Sequence, residues 1–219
     1  MRNTTTNWSR RKFLTSAGAT PLVGALASGC TTPPEPTIAT ENIYDHLNVR
    51  PFINAAGTYT ALTASLMPVE VQAVMAEASQ SFVSLNELHA AAGARIAELV
   101  GVEAALVTSG CAAALTQATA ACVCGRDQEA IRQVPNTTGL KNEVIIQRSH
   151  RFGYDHAIRN VGVNLVEVET RAEMEAAVSA KTAMLFFLNV TNNLGQIQRE
   201  EFVEIGRQTG IPTLIDAAA

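Results

Sequence analysis

Ala183-Met184-Leu185-Phe186-Phe187-Leu188-Asn189-Val190-Thr191-Asn192-Asn193 is an unbroken apolar run that ends in an amide-rich loop. A strand with one wet face alternates apolar and polar residues, whereas a strand covered on both faces reads as a continuous apolar run. Shorter strand-like runs lie on either side, at residues 104–107 (Ala-Ala-Leu-Val), 144–146 (Val-Ile-Ile), 164–168 (Asn-Leu-Val-Glu-Val) and 212–215 (Pro-Thr-Leu-Ile). Between them, apolar residues recur at helical spacing over 69–82, 86–100, 110–124, 155–161, 171–179 and 199–208, several of these stretches being closed by Gly101, Gly125 or Gly210. Residues 126–142, with Pro135 and Gly139, read as a polar connection. Strands alternating with helices predict an α/β fold: a mostly parallel sheet flanked by helices.

Composition agrees with that class. The 219 residues are 47% hydrophobic and 16% charged, with a net charge of -4, which suits a packed globular domain and supplies no basic stripe for nucleic acid. The four cysteines, at 30, 111, 122 and 124, lack metal-ligand spacing, so no metal site is expected. Cys122 and Cys124 read as small buried thiols at a helix end rather than a disulfide framework.

The amino terminus reads differently. Ser9-Arg10-Arg11-Lys12-Phe13-Leu14 precedes a weakly apolar Gly/Ala/Thr-rich stretch, the pattern of a twin-arginine signal over residues 1–30. It predicts export, with the product periplasmic or membrane-anchored. Leu26-Ala27-Ser28-Gly29 before Cys30 resembles a lipoprotein box, with Ala27 where leucine is usual, so Cys30 is a candidate lipid anchor. Residues 31–41, rich in Pro and Thr, read as a linker, and the folded domain is expected over 42–219.

In a parallel sheet the chemistry gathers beyond the carboxyl ends of the strands. Those ends carry Thr108-Ser109-Gly110-Cys111, Gln147-Arg148-Ser149-His150, the loop at 189–193, and Asp216. Ser109, Gly110 and Cys111 open a helix whose first N–H groups lack internal partners, a place for a phosphate. A strand–Ser-Gly–helix turn is common, however, and this one is neither a P-loop nor a GxGxxG fingerprint. Asp216 is either a helix cap or a carboxylate that holds a proton on a heterocyclic nitrogen. His150 is either a satisfied polar group or a flat ring for a cofactor face. Arg148, Arg151, His156 and Arg159 make the most basic part of the domain, either a solvated face or a binding place for an anionic substrate.

Four stretches in order carry a family resemblance: Arg50-Pro51-Phe52-Ile53-Asn54-Ala55-Ala56-Gly57-Thr58, residues 96–110 (IAELVGVEAALVTSG), Asn142-Glu143-Val144-Ile145-Ile146, and Ile215-Asp216-Ala217-Ala218-Ala219. Together they resemble the selenocysteine-synthase-like family of pyridoxal-phosphate enzymes, and within it the branch that contains D-glucosaminate-6-phosphate ammonia-lyase. The resemblance implies the aspartate aminotransferase fold (fold type I) large domain and the cofactor pyridoxal 5'-phosphate. It places Ser109, Gly110 and Cys111 on the cofactor phosphate, Asp216 on the pyridine nitrogen, and His150, with Tyr154 as competitor, against the ring. It implies a lyase or transferase acting on the α-carbon side of a small amino acid or amino-sugar acid, and a homo-oligomer, at least a dimer, when full length. In the family the Schiff-base lysine lies downstream of the aspartate. Lys12, Lys141 and Lys181 all lie upstream, so the chain is expected to be an N-terminal fragment, a truncated large domain inactive alone. The alternatives are a non-catalytic exported binding protein with a degenerate cofactor pocket, and a selenium transferase on seryl-tRNA(Sec). Export and the missing basic surface weigh against the latter.

Overall fold

The structure is a computed structural model that describes residues 42–218. The expected signal segment, the candidate anchor Cys30 and the expected linker to residue 41 lie outside the described residues. Two compact units divide the chain at residues 73 and 74.

The first unit is held by local polar closures. Helix α1 (Ile43–His46) starts at Asn42, whose side chain accepts the Tyr44 N–H at 3.1 Å. Asn54 organises its motif: Nδ2 donates to the Gly57 carbonyl at 2.8 Å and to the Ala64 carbonyl at 3.3 Å, and Oδ1 accepts from the Ala56 N–H at 2.9 Å. Helix α2 (Val69–Ala78) begins just past Pro68 and runs across the division between the units.

The second unit carries the sheet. Helix α3 (Leu85–Val100) is capped by Ser84 and closed by Gly101 in the left-handed conformation. It buries only Gly93 and Ala97. Gly93 has a steric reason: a Cβ there would lie 2.4 Å from the Ala105 carbonyl oxygen, so the chain at 104–106 packs directly on the helix. The expected strand at 104–107 is not a strand. It finds no ladder partner among the described residues, and an isolated extended segment is not a sheet.

Helix α4 (Cys111–Cys124) follows, then α5 (Gln128–Gln133), which replaces part of the expected polar connection. Asp127 nucleates α5 by accepting the Glu129 and Ala130 N–H groups at 2.8 and 3.3 Å. The remaining elements are β1 (Glu143–Gln147), α6 (His156–Arg159), β2 (Asn164–Val168), α7 (Arg171–Ala177), β3 (Thr182–Leu188), α8 (Arg199–Thr209) and β4 (Thr213–Asp216). A full capping box between Thr170 and Glu173 starts α7.

The four strands form a parallel sheet in the order β2-β1-β3-β4. All seven residues of β3 are buried, as its apolar run predicts for a central strand. Alternate side chains feed opposite layers. Val144, Ile146, Met184 and Phe186 pack with Leu115 and Val123 of α4 and with Ala157 and Ile158 of α6. Ile145, Leu185 and Phe187 pack with Met174 of α7 and with Phe202 and Ile205 of α8. Fully burying one such side chain contributes about 1.5–3 kcal/mol. From β1 the chain moves outward to β2 and then returns past β1 to β3, so the order reverses between β1 and β3. The carboxyl ends flanking such a reversal are where open α/β sheets bind ligands.

Candidate cofactor site

Asp216 ends β4 at the edge where the chain reaches the carboxyl side of the sheet, and it is buried. Its Oδ1 accepts the Ala218 N–H at 3.0 Å and the Cys111 thiol at 3.5 Å. Oδ2 takes no hydrogen bond from the described residues. Folding therefore brings together two groups separated by 105 residues of sequence: the strand-end acid and the start of α4.

The turn before α4 is built for close approach. Gly110 is the N-cap at φ 128°, ψ 172°, a conformation reserved for glycine, and it makes no side-chain cap. A Cβ added there would meet nothing within 4 Å, so the space beside the turn is open. The first helical bond runs from the Ala114 N–H to the Gly110 carbonyl at 3.1 Å, which leaves the N–H groups of Cys111, Ala112 and Ala113 as free donors at the positive end of the helix. Thr108 Oγ1 donates to the Gly110 carbonyl at 2.9 Å and braces the turn from the other side. Ser109 lies within it.

His150 is placed otherwise than as an open stacking ring. It is fully buried in a turn after β1, edge-on to Phe187 with ring centroids 4.4 Å apart. Nδ1 accepts the Leu188 N–H at 3.3 Å, so the ring pins the end of β3. Burial lowers its pKa from the ordinary 6.5, against smaller raising effects from the Thr191 backbone and Glu169. Tyr154, the sequence-level competitor, is exposed.

The polar group that composition could not reveal is Gln147. Fully buried, it accepts the Ile197 N–H at 2.8 Å and donates to the Ile197 carbonyl at 3.0 Å, and its Nε2 lies 3.3 Å from His150 Nε2. It staples the loop after β3 to the end of β1, with Gly195 directly against its amide. Nearby, the Ser149 hydroxyl is buried and has no hydrogen-bond partner among the described residues.

The basic patch is largely neutralised. Arg151 pairs with Asp155 at 2.5 Å and with Glu167, Arg159 with Asp155 at 3.1 Å, and Arg148 with Glu167 at 3.9 Å. Burial pushes the Asp155 carboxyl up, but hydrogen bonds from Arg151 and Arg159 more than reverse this and hold it below the ordinary carboxylate value. Lys141 and Lys181 precede β1 and β3 and line a cavity at the amino ends of the strands, the edge opposite Asp216.

Pyridoxal phosphate makes two demands on a protein that holds it: donors for a dianionic phosphate and an acid for the pyridine nitrogen. The start of α4 would supply the first and Asp216 the second, and Cys111 at the helix start lies against the acid. The donor set fits.

Comparison with known proteins points the same way. The sequence profile described as aminotransferase class I and II matches residues 55–218. The chain is 31% identical to the D-glucosaminate-6-phosphate ammonia lyase of Salmonella typhimurium (strain 14028s / SGSC 2262), covering 82% of this chain and 52% of that protein. A solved ammonia-lyase structure of that name matches with a TM-score of 0.77 at 31% identity, over 83% of this chain and 52% of the other. A 5'-C-glycyluridine monooxygenase-decarboxylase of a Streptomyces species is 32% identical over 80% of this chain and 47% of its own length. An L-seryl-tRNA(Sec) selenium transferase of Moorella thermoacetica is 27% identical over 87% and 44%. The chain thus spans about half the length of the curated relatives it matches.

Proposed function

The chain belongs to the class I and II aminotransferase family, whose members are pyridoxal-phosphate-dependent, and on that premise we propose that the α4 turn and Asp216 form the part of a cofactor site that grips phosphate and ring nitrogen. The observation that carries the reading is the buried Asp216 carboxylate 3.5 Å from the first residue of a helix with uncapped N–H groups. Ser109 and the N–H groups of residues 111–113 bind the phosphate. Asp216 holds a proton at the ring nitrogen, because a neighbouring anion favours the protonated cation. Bound there, pyridoxal phosphate supplies an electron sink for the pair released when a bond at a substrate α-carbon breaks. Gln147 and His150 orient the loops after β1 and β3 beside it.

The reaction proposed for the whole protein is that of a lyase or transferase on a small amino acid or amino-sugar acid. The ammonia lyase and the selenium transferase among its relatives support those two reaction types, and the low basicity around Asp155 and Glu167 favours the small substrate over tRNA. Lys141 and Lys181, at the wrong end of the sheet, do not serve as the attachment lysine in this reading. Titrating the protein with pyridoxal phosphate, followed by cofactor absorbance with inorganic phosphate as competitor, tests the site. Saturable binding relieved by phosphate supports it; binding indifferent to phosphate and to Gly110→Ala refutes it. Residues 1–30 support a separate proposal of twin-arginine export, with Cys30 as a lipid anchor.

A further inference from the structure

We infer that Cys111 is a positioning residue for Asp216: its thiol clasps Oδ1 and leaves Oδ2 for the ring nitrogen, while its backbone N–H remains a donor in the phosphate turn. The role rests on the reading of the site as a pyridoxal-phosphate site. The geometry is asymmetric. Both hydrogen bonds to the carboxylate, from Ala218 and Cys111, fall on Oδ1. One residue thereby ties the start of α4 to the end of β4, so phosphate and acid are held at a fixed separation.

The chemistry of the thiol supports this. A cysteine at a helix N-terminus ordinarily ionises more readily. Here burial, then the charge of Asp216 and the hydrogen bond to it, raise the thiol pKa from its ordinary 9.0. The thiol therefore stays protonated at neutral pH and acts as a donor, which a thiolate beside a carboxylate cannot do.

Two measurements test it. The first needs no cofactor: the pH dependence of iodoacetamide alkylation at Cys111, read by peptide mass spectrometry with Cys122 and Cys124 as internal references. Asp216→Asn should move the Cys111 midpoint to lower pH by at least about half a unit, or about threefold more thiolate at fixed pH, and leave the two references unmoved. An unshifted midpoint overturns the contact. The second is the pyridoxal phosphate dissociation constant. Cys111→Ala should raise it about three- to fivefold, as expected for one weak hydrogen bond to a charged group, and Cys111→Ser, which keeps a donor, should restore most of the loss. An unchanged constant in the alanine variant, or a loss that serine does not rescue, overturns the positioning role. Wild-type protein that binds no pyridoxal phosphate overturns the reading of the site, and this role with it, whatever the thiol titration gives.

Discussion

Gln147→Ala is expected to be among the most damaging single changes in the sheet unit. The side chain is fully buried and makes two short bonds to the main chain of Ile197, itself 1% exposed. Truncation strands a buried N–H and a buried C=O, each costing about 1–3 kcal/mol when left unpaired. The sum is about 2–6 kcal/mol, a large share of the roughly 5–15 kcal/mol that holds a domain folded. Gly195 supplies an internal control. A Cβ there would lie 2.5 Å from Gln147 Oε1, so Gly195→Ala must displace an amide that its bonds to Ile197 hold in place. Once Gln147 is alanine the obstruction is gone. The double variant should therefore be more stable than the sum of the single changes implies, by about 1 kcal/mol or more. Urea unfolding followed by far-UV circular dichroism, with the slope m held constant, measures all four proteins. A loss below about 1 kcal/mol in Gln147→Ala, or additivity within about 0.5 kcal/mol, would refute the stapling argument.

Two further expectations follow from the same structure and a third from the sequence. Gly110→Ala places a side chain at φ 128°, at a cost of about 1–3 kcal/mol, and should weaken pyridoxal phosphate binding as well as lower the urea midpoint; unchanged affinity would remove the turn from the site. Stability should fall on acidification in two stages: His150, its folded pKa below 6.5, takes up its proton more readily when unfolded, so its contribution fades as pH drops below about 6.5, and Asp155, held below 3.8, follows in stronger acid. Urea midpoints from pH 8 to 2 check both stages, His150→Gln should flatten the first stage, and a midpoint that rises toward pH 5 contradicts it. Replacing Arg10 and Arg11 by lysine should retain the protein in the cytoplasm on cell fractionation, and undiminished export in a strain lacking the twin-arginine translocase refutes that route.

Much of the frame was legible because burial leaves a compositional trace. The apolar run in β3 was read as a strand covered on both faces, and all seven of its residues are buried, whereas β2 was read over its observed residues although Asn164 and Glu167 are exposed on that edge strand. Gly101 and Gly210 end helices in the left-handed conformation, as their positions implied. Asp216 was singled out as the end of a strand that forms and the turn at 109–111 as the end of one that does not, yet the structure brings the two together. What escaped was whatever depends on a distant partner. Residues 104–107 have a strand's composition, yet a strand needs a neighbour, and none of the described residues supplies one. The helix α5 was hidden in a polar stretch, although Asp127 followed by Gln128-Glu129-Ala130 was a readable cap. Gln147 was placed at a strand end, but its burial gave no signal, since it depends on Ile197, fifty residues later. The arginines left two readings open, a solvated face or an anion site, because a sequence shows charge, whereas their pairing with Asp155 and Glu167 appears only on folding.

The role proposed for Asp216 is to hold a proton at the ring nitrogen of pyridoxal phosphate. Its most direct test is the ¹⁵N chemical shift of ring-labelled cofactor bound to the wild-type protein and to Asp216→Asn, which keeps the shape and removes the charge. At pH 8 the ring nitrogen should be protonated in the wild type and unprotonated in the variant, with the cofactor phosphate still bound in both. Were Asp216 only a helix cap, asparagine would serve as well. The same ring-nitrogen shift in both proteins would remove Asp216 from that role.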